Sequence, residues 1–182
     1  MVRRPFSAVW PVAIAAAVLS VGATGAPGRS GHPVRHHSPR LLAGPGRLAP
    51  ALLLAPGDHV SRLIDLRKRG RGSFAAVYFV ARPRHGSPLS TDPTNSLRVE
   101  LRTCPKHWRR HGASYQCPAK TTTVLSERRL VGRTRLKRLG LDKGPAHVEL
   151  VLSLPPGAGN ELQGQATSLT YSFVGIARRP RR

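Results

Sequence analysis

The stretches His147-Val-Glu-Leu-Val-Leu-Ser-Leu-Pro155 and Thr167-Ser-Leu-Thr-Tyr-Ser-Phe-Val174 decide the fold of this chain. In both, apolar side chains recur at every second position, which is the period of a β-strand with one buried face. The break between them, Pro155-Pro-Gly-Ala-Gly-Asn160, consists of turn-forming residues. The pattern predicts two paired strands, with these residues on the buried face: Val148, Leu150, Leu152, Leu154, Leu169, Tyr171 and Phe173.

Similar patterns recur upstream of these strands. A Pro56-Gly-Asp58 turn opens the alternating run His59–Leu66, and Leu97–Thr103 alternates apolar with charged residues. Turn formers separate the runs at the spacing of a β-sandwich, so we predict an all-β fold, a sandwich or jelly roll of about seven to eight strands. The other candidate strands are Phe74–Ala81, Thr121–Leu125 and Thr134–Leu141, and periodicity leaves the last open between a helical turn and an irregular strand.

Residues 1–23 have the composition of a secretory signal peptide. Arg3 and Arg4 precede an uncharged apolar run, and Val21-Gly-Ala23 supplies the small residues that a signal peptidase reads. The run is interrupted by Pro11 and is short for a bilayer-spanning helix, which needs about 20 residues. We therefore expect cleavage after Ala23 and a protein that is secreted or held at the cell surface. The alternative is an uncleaved segment that anchors the chain in the membrane.

The remaining chain divides by composition into three parts. Residues 24–50 are rich in Pro, Gly, Arg and His without apolar periodicity, which predicts a disordered linker. Residues 51–178 form the predicted β-domain, and 179–182 form a basic tail. Within the linker, Leu41-Leu42 and Leu48–Leu54 are apolar, which indicates either the domain's own first strand or a strand donated to a neighbouring copy.

The chain is strongly basic, with 30 Lys and Arg against 8 Asp and Glu and a formal net charge of +22. The arginines are scattered rather than clustered on one helix, and they are not interleaved with aromatic residues that could stack on bases. We therefore expect no specific nucleic-acid site. Charge of this size still predicts non-specific adhesion to anionic polymers such as teichoic acid, acidic polysaccharide or DNA.

Cys104 and Cys117 are the only cysteines. An even count in an exported chain predicts a disulfide, and the enclosed Trp108 and Tyr115 are then expected to cover it. The alternative is a zinc site, in which His107 and His111 join the two cysteines as ligands. Export favours the disulfide, because oxidation competes with thiolate coordination outside the cell.

Two turns carry a resemblance to a known family. The spacing Leu154-Pro-x-x-Ala-x-Asn-x-x-Gln-Gly164 resembles a signature of the TasA/camelysin family of secreted bacterial β-sandwich proteins, actinobacterial type, and Gly57-Asp58 resembles the opening of that family's first core strand. Lys68 stands where the family has an Asn, whereas Gly70 matches. The resemblance implies a structural role for the signature, a Trp-containing cysteine loop, and matrix or fibre functions in some members. The signature residues are Gly57, Asp58, Leu154, Pro155, Asn160, Gln163 and Gly164.

Camelysins are metallo-endopeptidases, so the resemblance raises a catalytic alternative. The chain has no His-Glu-x-x-His and no Gly-x-Ser-x-Gly motif. His147 and Glu149 share a strand face, and we expect a surface pair at the strand's edge. We therefore predict no catalytic residue, no metal and no cofactor.

These features together predict a secreted or surface-bound structural or interaction protein. Its expected partners are further copies of itself, through edge strands, and anionic surface polymers.

Overall fold

The structure, a computed structural model, describes residues 39–43, 54–137, 139–162 and 165–179, together with the backbone of Ile14–Ala16. Most of the predicted leader (1–23) and linker (24–50) therefore lies outside the described residues, as do Gln163, Gly164 and the tail from residue 180. Within the described residues, no helix is long and apolar enough to cross a membrane.

Alternating sequence produces an all-β fold, as predicted. A short helix, α1 (Pro88–Thr91), and a 3₁₀ turn at Asn160–Leu162 interrupt the strands. The strands are β1 (Ile14–Ala16), β2 (Arg40–Ala43), β3 (His59–Arg69), β4 (Phe74–Pro83), β5 (Arg98–Cys104), β6 (Arg109–His111), β7 (Ser114–Gln116), β8 (Thr122–Arg129), β9 (Gly132–Arg135), β10 (Ala146–Ser153) and β11 (Thr167–Ala177).

Nine of these strands form two sheets. The first sheet has the order β1-β11-β4-β9, and the second has the order β2-β3-β10-β5-β8. All neighbours run antiparallel except β1 and β11, which are parallel. Strands β6 and β7 form a separate hairpin. The sheet order places β10 in the centre of the second sheet, hydrogen-bonded to β3 on one side and to β5 on the other.

One apolar core joins the two sheets into a sandwich. In the first sheet, Phe79 meets Phe173 edge-to-face with ring centroids 5.5 Å apart, and the Tyr171 ring lies 6.0 Å from Phe79. Burial raises the pKa of the Tyr171 phenol, because the phenolate loses its hydration. The second sheet contributes the alternating residues that the sequence indicated, among them Ile64, Leu66, Val99, Leu101, Val148, Leu150 and Leu152.

The two halves of the signature meet at one end of the sandwich. Gly57 has a φ of +86°, which favours glycine, and its amide donates to the Leu154 carbonyl at 2.9 Å. The Leu154 amide in turn donates to the Asp58 carbonyl at 3.0 Å. The Asp58 carboxylate accepts from the Ala55 amide at 2.9 Å. The turn that opens β3 is thus bound to Leu154, the residue that follows β10. Pro155 comes next in the chain, and its carbonyl accepts a hydrogen bond from the Ala158 amide.

Strands β10 and β11 lie in different sheets, so the prediction that they pair with each other is wrong. Four short strands have no counterpart in the sequence expectation: β1, β2, β6 and β7. Strand β2 lies within the segment predicted as disordered linker, and it pairs with Leu66–Arg69 of β3 while Leu41 packs against the core. Two leucines are enough to add a strand where a sheet edge is available, although they leave no periodic signal. In the segment 134–141, only the first residues continue a strand, β9, which decides between the two alternatives left open there.

Lys68, at the position where the resembled family has an Asn, stabilises the turn after β3. Its ammonium group donates to the Gly72 carbonyl at 2.9 Å and to the Asp142 carboxylate at 2.6 Å. The longer lysine side chain thus satisfies a carbonyl of this turn and adds an ion pair with Asp142.

Candidate functional site

The candidate site lies on the outer face of the second sheet, at strand β10. Residues of a strand alternate between faces, so His147 and Glu149 point away from the core that holds Val148 and Leu150. Both are nevertheless buried, at 6% and 4% exposure. The prediction of a surface pair at a strand's edge is therefore wrong. β10 is the central strand of its sheet, and other parts of the chain cover its outer face.

The cover is the loop closed by the disulfide between Cys104 and Cys117, whose Cα atoms are 5.6 Å apart. The disulfide confirms the prediction for the two cysteines. Cys104 lies directly opposite His147 in the sheet, so the disulfide attaches the loop to the sheet next to the site. The Trp108 indole crosses to β10 and donates from Nε1 to the His147 carbonyl at 3.0 Å. Trp108 therefore covers strand β10, and the expectation that Trp108 and Tyr115 cover the bridge stays a prediction.

Three side chains from different elements converge under this loop. Asp65 of β3 lies opposite His147 of β10, and its Oδ1 is 2.6 Å from His147 Nδ1. His107, from the disulfide loop, places its ring centroid 3.9 Å from that of His147. One ligand-type atom from each of the three lies within 4.8 Å of the others. His147 is buried, Asp65 is half-buried and His107 is exposed, so the cluster opens to solvent on the loop side.

A second polar group lies next to the cluster on the same face. Arg102 of β5 is opposite Glu149, and its guanidinium donates to the Glu100 carboxylate at 2.5 Å. Thr123 of β8 also donates to Glu100, at 3.5 Å. Hydrogen bonding to Glu100, with the added charge of Glu149, raises the pKa of Arg102 above its ordinary value. Glu149 therefore lies opposite a guanidinium whose hydrogen bond goes to Glu100.

This face concentrates the chain's scarce negative charge. Of the eight acidic residues, Asp65, Glu100 and Glu149 lie on the outer face by strand register. Glu127 reaches the same face, where Ser153 of β10 donates to it at 3.0 Å. Half of the acidic residues of a chain with 30 basic ones thus collect on one side of one sheet. The arrangement is suited to holding a cation or a cationic group.

The zinc alternative from the sequence, Cys104 and Cys117 with His107 and His111, is not the set that the fold brings together. The cysteines are bonded to each other, His107 turns to β10, and His111 ends an exposed strand of the β6–β7 hairpin. Sequence reasoning missed Asp65 as a partner, because it is 82 residues from His147 and no local motif connects them.

The chemistry available at the cluster is ligation and proton binding. Imidazole nitrogens and a carboxylate oxygen are ligands that zinc accepts. Among the hydrogen bonds of the described residues, no hydroxyl or thiol is paired with either imidazole, and such a pair is what a nucleophilic dyad requires.

No family model matches the chain, and no curated protein matches its sequence. The resemblance to TasA/camelysin proteins thus stays a prediction, and the all-β fold stands on the structure itself.

Replacing both cysteines by serine should lower the free energy of unfolding by about 3 kcal/mol, because the bridge restricts a loop of this length in the unfolded chain. Urea unfolding followed by Trp108 fluorescence measures the loss. Wild type under reducing conditions is the matched control and should show the same loss. A difference below about 1 kcal/mol would show that the loop is held mainly by its contacts with β10.

Proposed function

We propose that this protein is an exported structural or interaction protein of the cell surface, and that it associates through the outer edge of β11. The single observation that carries the proposal is the composition and exposure of that edge. The cell-surface location rests on the leader composition, and a disulfide is compatible with it.

Strand β11 is long and carries no charged residue over Thr167–Ala177. One side pairs with β4 along its length, whereas on the other side only β1 pairs with it among the described residues, at Thr167–Leu169. Val174 and Ile176 are 37% and 42% exposed. Unpaired backbone groups on a long apolar edge accept a strand from another chain. Cleavage after Ala23 would remove β1 and extend this open edge.

The opposite side of the sandwich has the composition that prevents such pairing. Strand β8 ends in Glu-Arg-Arg129, and the four-residue strand β9 carries Arg133 and Arg135. Charged side chains and short length both protect an edge against strand addition. The remaining edge strand, β2, has only four residues, so β11 offers the longest open edge among the described strands.

The proposal does not require the apolar linker residues, Leu41-Leu42 and Leu48–Leu54, to be the donated strand. Arg40–Ala43 pairs with β3 of its own chain, which favours the alternative that it is the domain's own strand. Residues 48–53 lie outside the described residues. The acceptor edge of β11 therefore supports association independently of which segment is donated.

Association must overcome repulsion between copies that each carry a net charge of +22. Salt screens such repulsion, with a Debye length of about 10 Å at 0.1 M. Strand pairing and apolar burial are weakened little by salt. Assembly through β11 should therefore persist, and increase, at high salt.

The test is a change of Val174 to Lys, which places a charge on the outer face of the acceptor strand. This change should reduce assembly at least about tenfold, because copies would then oppose like charges across paired strands. Light scattering after size-exclusion chromatography at physiological and high salt measures it. Val131→Lys is the matched control, since Val131 is 36% exposed beyond the end of β8 and should assemble as wild type does. Equal assembly by both variants, or a wild type that stays monomeric at every salt concentration, contradicts the proposal.

A second function, binding of anionic polymers, is favoured by pairs of like charge in the second sheet. Arg98 lies directly opposite Arg129, and Arg40 directly opposite Arg69. Like charges at facing positions destabilise a sheet, so an anionic partner would relieve a cost that the folded protein carries. On the neighbouring edge, the Arg133 guanidinium lies 4.2 Å from the centre of the Tyr78 ring, which orders a further positive charge.

Replacing Arg98 and Arg129 by Gln should reduce the magnitude of the slope of log K against log salt by about two, with duplex DNA as the probe, because each phosphate contact contributes about one. Fluorescence anisotropy across a salt series measures the slope. The matched control replaces Arg109 and Arg110, two exposed arginines of the β6–β7 hairpin. Equal losses in both variants would mean that binding follows net charge alone and has no preferred surface.

A further inference from the structure

The cluster of Asp65, His107 and His147 carries an inference independent of the proposed function. We propose that it is a binding site for a divalent transition metal, with zinc as the best-suited ion, and that the bound metal fastens the disulfide loop to the sheet. The three ligands come from β3, from the loop and from β10, so a metal there connects elements that are distant in sequence.

The ligand types favour zinc over calcium or magnesium. Two imidazoles and one carboxylate suit zinc, whereas the hard cations require sets composed of oxygen atoms. Three protein ligands leave a fourth position, which the exposed side of His107 makes accessible to water or an external ligand.

The geometry needs only a small adjustment. Zinc bonds of roughly 2.0–2.1 Å hold tetrahedral ligand atoms about 3.3 Å apart. The ligand-type atoms already lie within 4.8 Å of one another, and the closest pair, Asp65 Oδ1 and His147 Nδ1, is separated by 2.6 Å. Metal entry replaces the proton shared by that pair, and the proton passes to solvent. His107 is free to rotate toward the metal because it is exposed and lies on a loop.

The surroundings supply both charge and support. Four of the chain's eight carboxylates, those of Asp65, Glu100, Glu127 and Glu149, lie on this face and offset part of the positive charge of Arg67, Arg98 and Arg102 beside them. The Arg67 guanidinium lies 4.0 Å from Oδ2 of Asp65, which orients the carboxylate while Oδ1 faces His147. The Trp108 indole holds the loop over His147 through its bond to the backbone carbonyl. Outer contacts of this kind orient metal ligands in proteins.

The test uses the full-length, oxidised protein with Co²⁺ as the spectroscopic probe, and Zn²⁺ as competitor. One equivalent of Co²⁺ should give the visible absorption of a four-coordinate site, and Zn²⁺ should abolish that absorption. His107→Ala should weaken Co²⁺ binding at least about 100-fold, because this exposed residue supplies one of the three ligands. Circular dichroism checks that this variant keeps its strand signal.

Two controls separate the cluster from other histidines. His111→Ala removes an exposed histidine of the same disulfide loop, and a triple change of His32, His36 and His37 to Ser removes those of the N-terminal segment. Both should keep the wild-type affinity and spectrum. Co²⁺ binding that survives His107→Ala, or that disappears in the triple variant, overturns the proposal, as does a wild type that shows no four-coordinate absorption.

A second readout reports on the loop rather than on the metal. Saturating Zn²⁺ should raise the urea midpoint of wild type and of His111→Ala, and shift that of His107→Ala by much less, because a metal stabilises the folded state according to its affinity for that state and the variant has lost a ligand from the loop. An equal shift in all three proteins would contradict the fastening role.

Discussion

The rest of the structure depends on strand β10 being buried on both faces. Its inner residues, Val148 and Leu150, fill the centre of the sandwich core, and its outer residues, His147 and Glu149, lie beneath other parts of the chain. An apolar inner face needs only another sheet to cover it. A polar outer face must in addition have its charges and hydrogen bonds satisfied, because burying an unpaired charge is costly. Asp65 hydrogen-bonds the His147 ring, Arg102 lies opposite Glu149 in the sheet, and Trp108 of the disulfide loop bonds the His147 carbonyl, and together they assemble the candidate site.

Charge is distributed to match this architecture. A net charge of +22 keeps most of the surface mutually repulsive, and half of the eight acidic residues lie on the outer face of the second sheet. The edge of β11 is the exception among the long strands, since it is uncharged and partly unpaired. Charge and short length protect the edges at β8 and β9, whereas the edge of β11 is uncharged, and the proposed association depends on that difference. The same basic surface would attract anionic polymers around such an assembly.

Local patterns in the sequence predict the strands but not their neighbours. Alternation alone located β3, β5, β10 and β11, and the cysteine count with the signs of export predicted the disulfide. The burial of His147 and Glu149 was missed, because the position of a strand within its sheet depends on partners that are far away in sequence. Sequence reasoning missed Asp65 as a partner of His147 for the same reason. Sequence reasoning also missed the β6–β7 hairpin. Its strands, Arg-Arg-His and Ser-Tyr-Gln, have no apolar alternation and lie within the loop closed by the disulfide.

Native-state hydrogen exchange of the β10 amides tests the central role of this strand most directly. If both faces are buried as described, the amides of Val148, Glu149 and Leu150 exchange only through global unfolding, and their exchange free energies equal the global value at every urea concentration. Strands at the sheet edges, such as β2, should exchange at lower free energies. Exchange of the β10 amides through local opening, at rates like those of β2, would contradict the account.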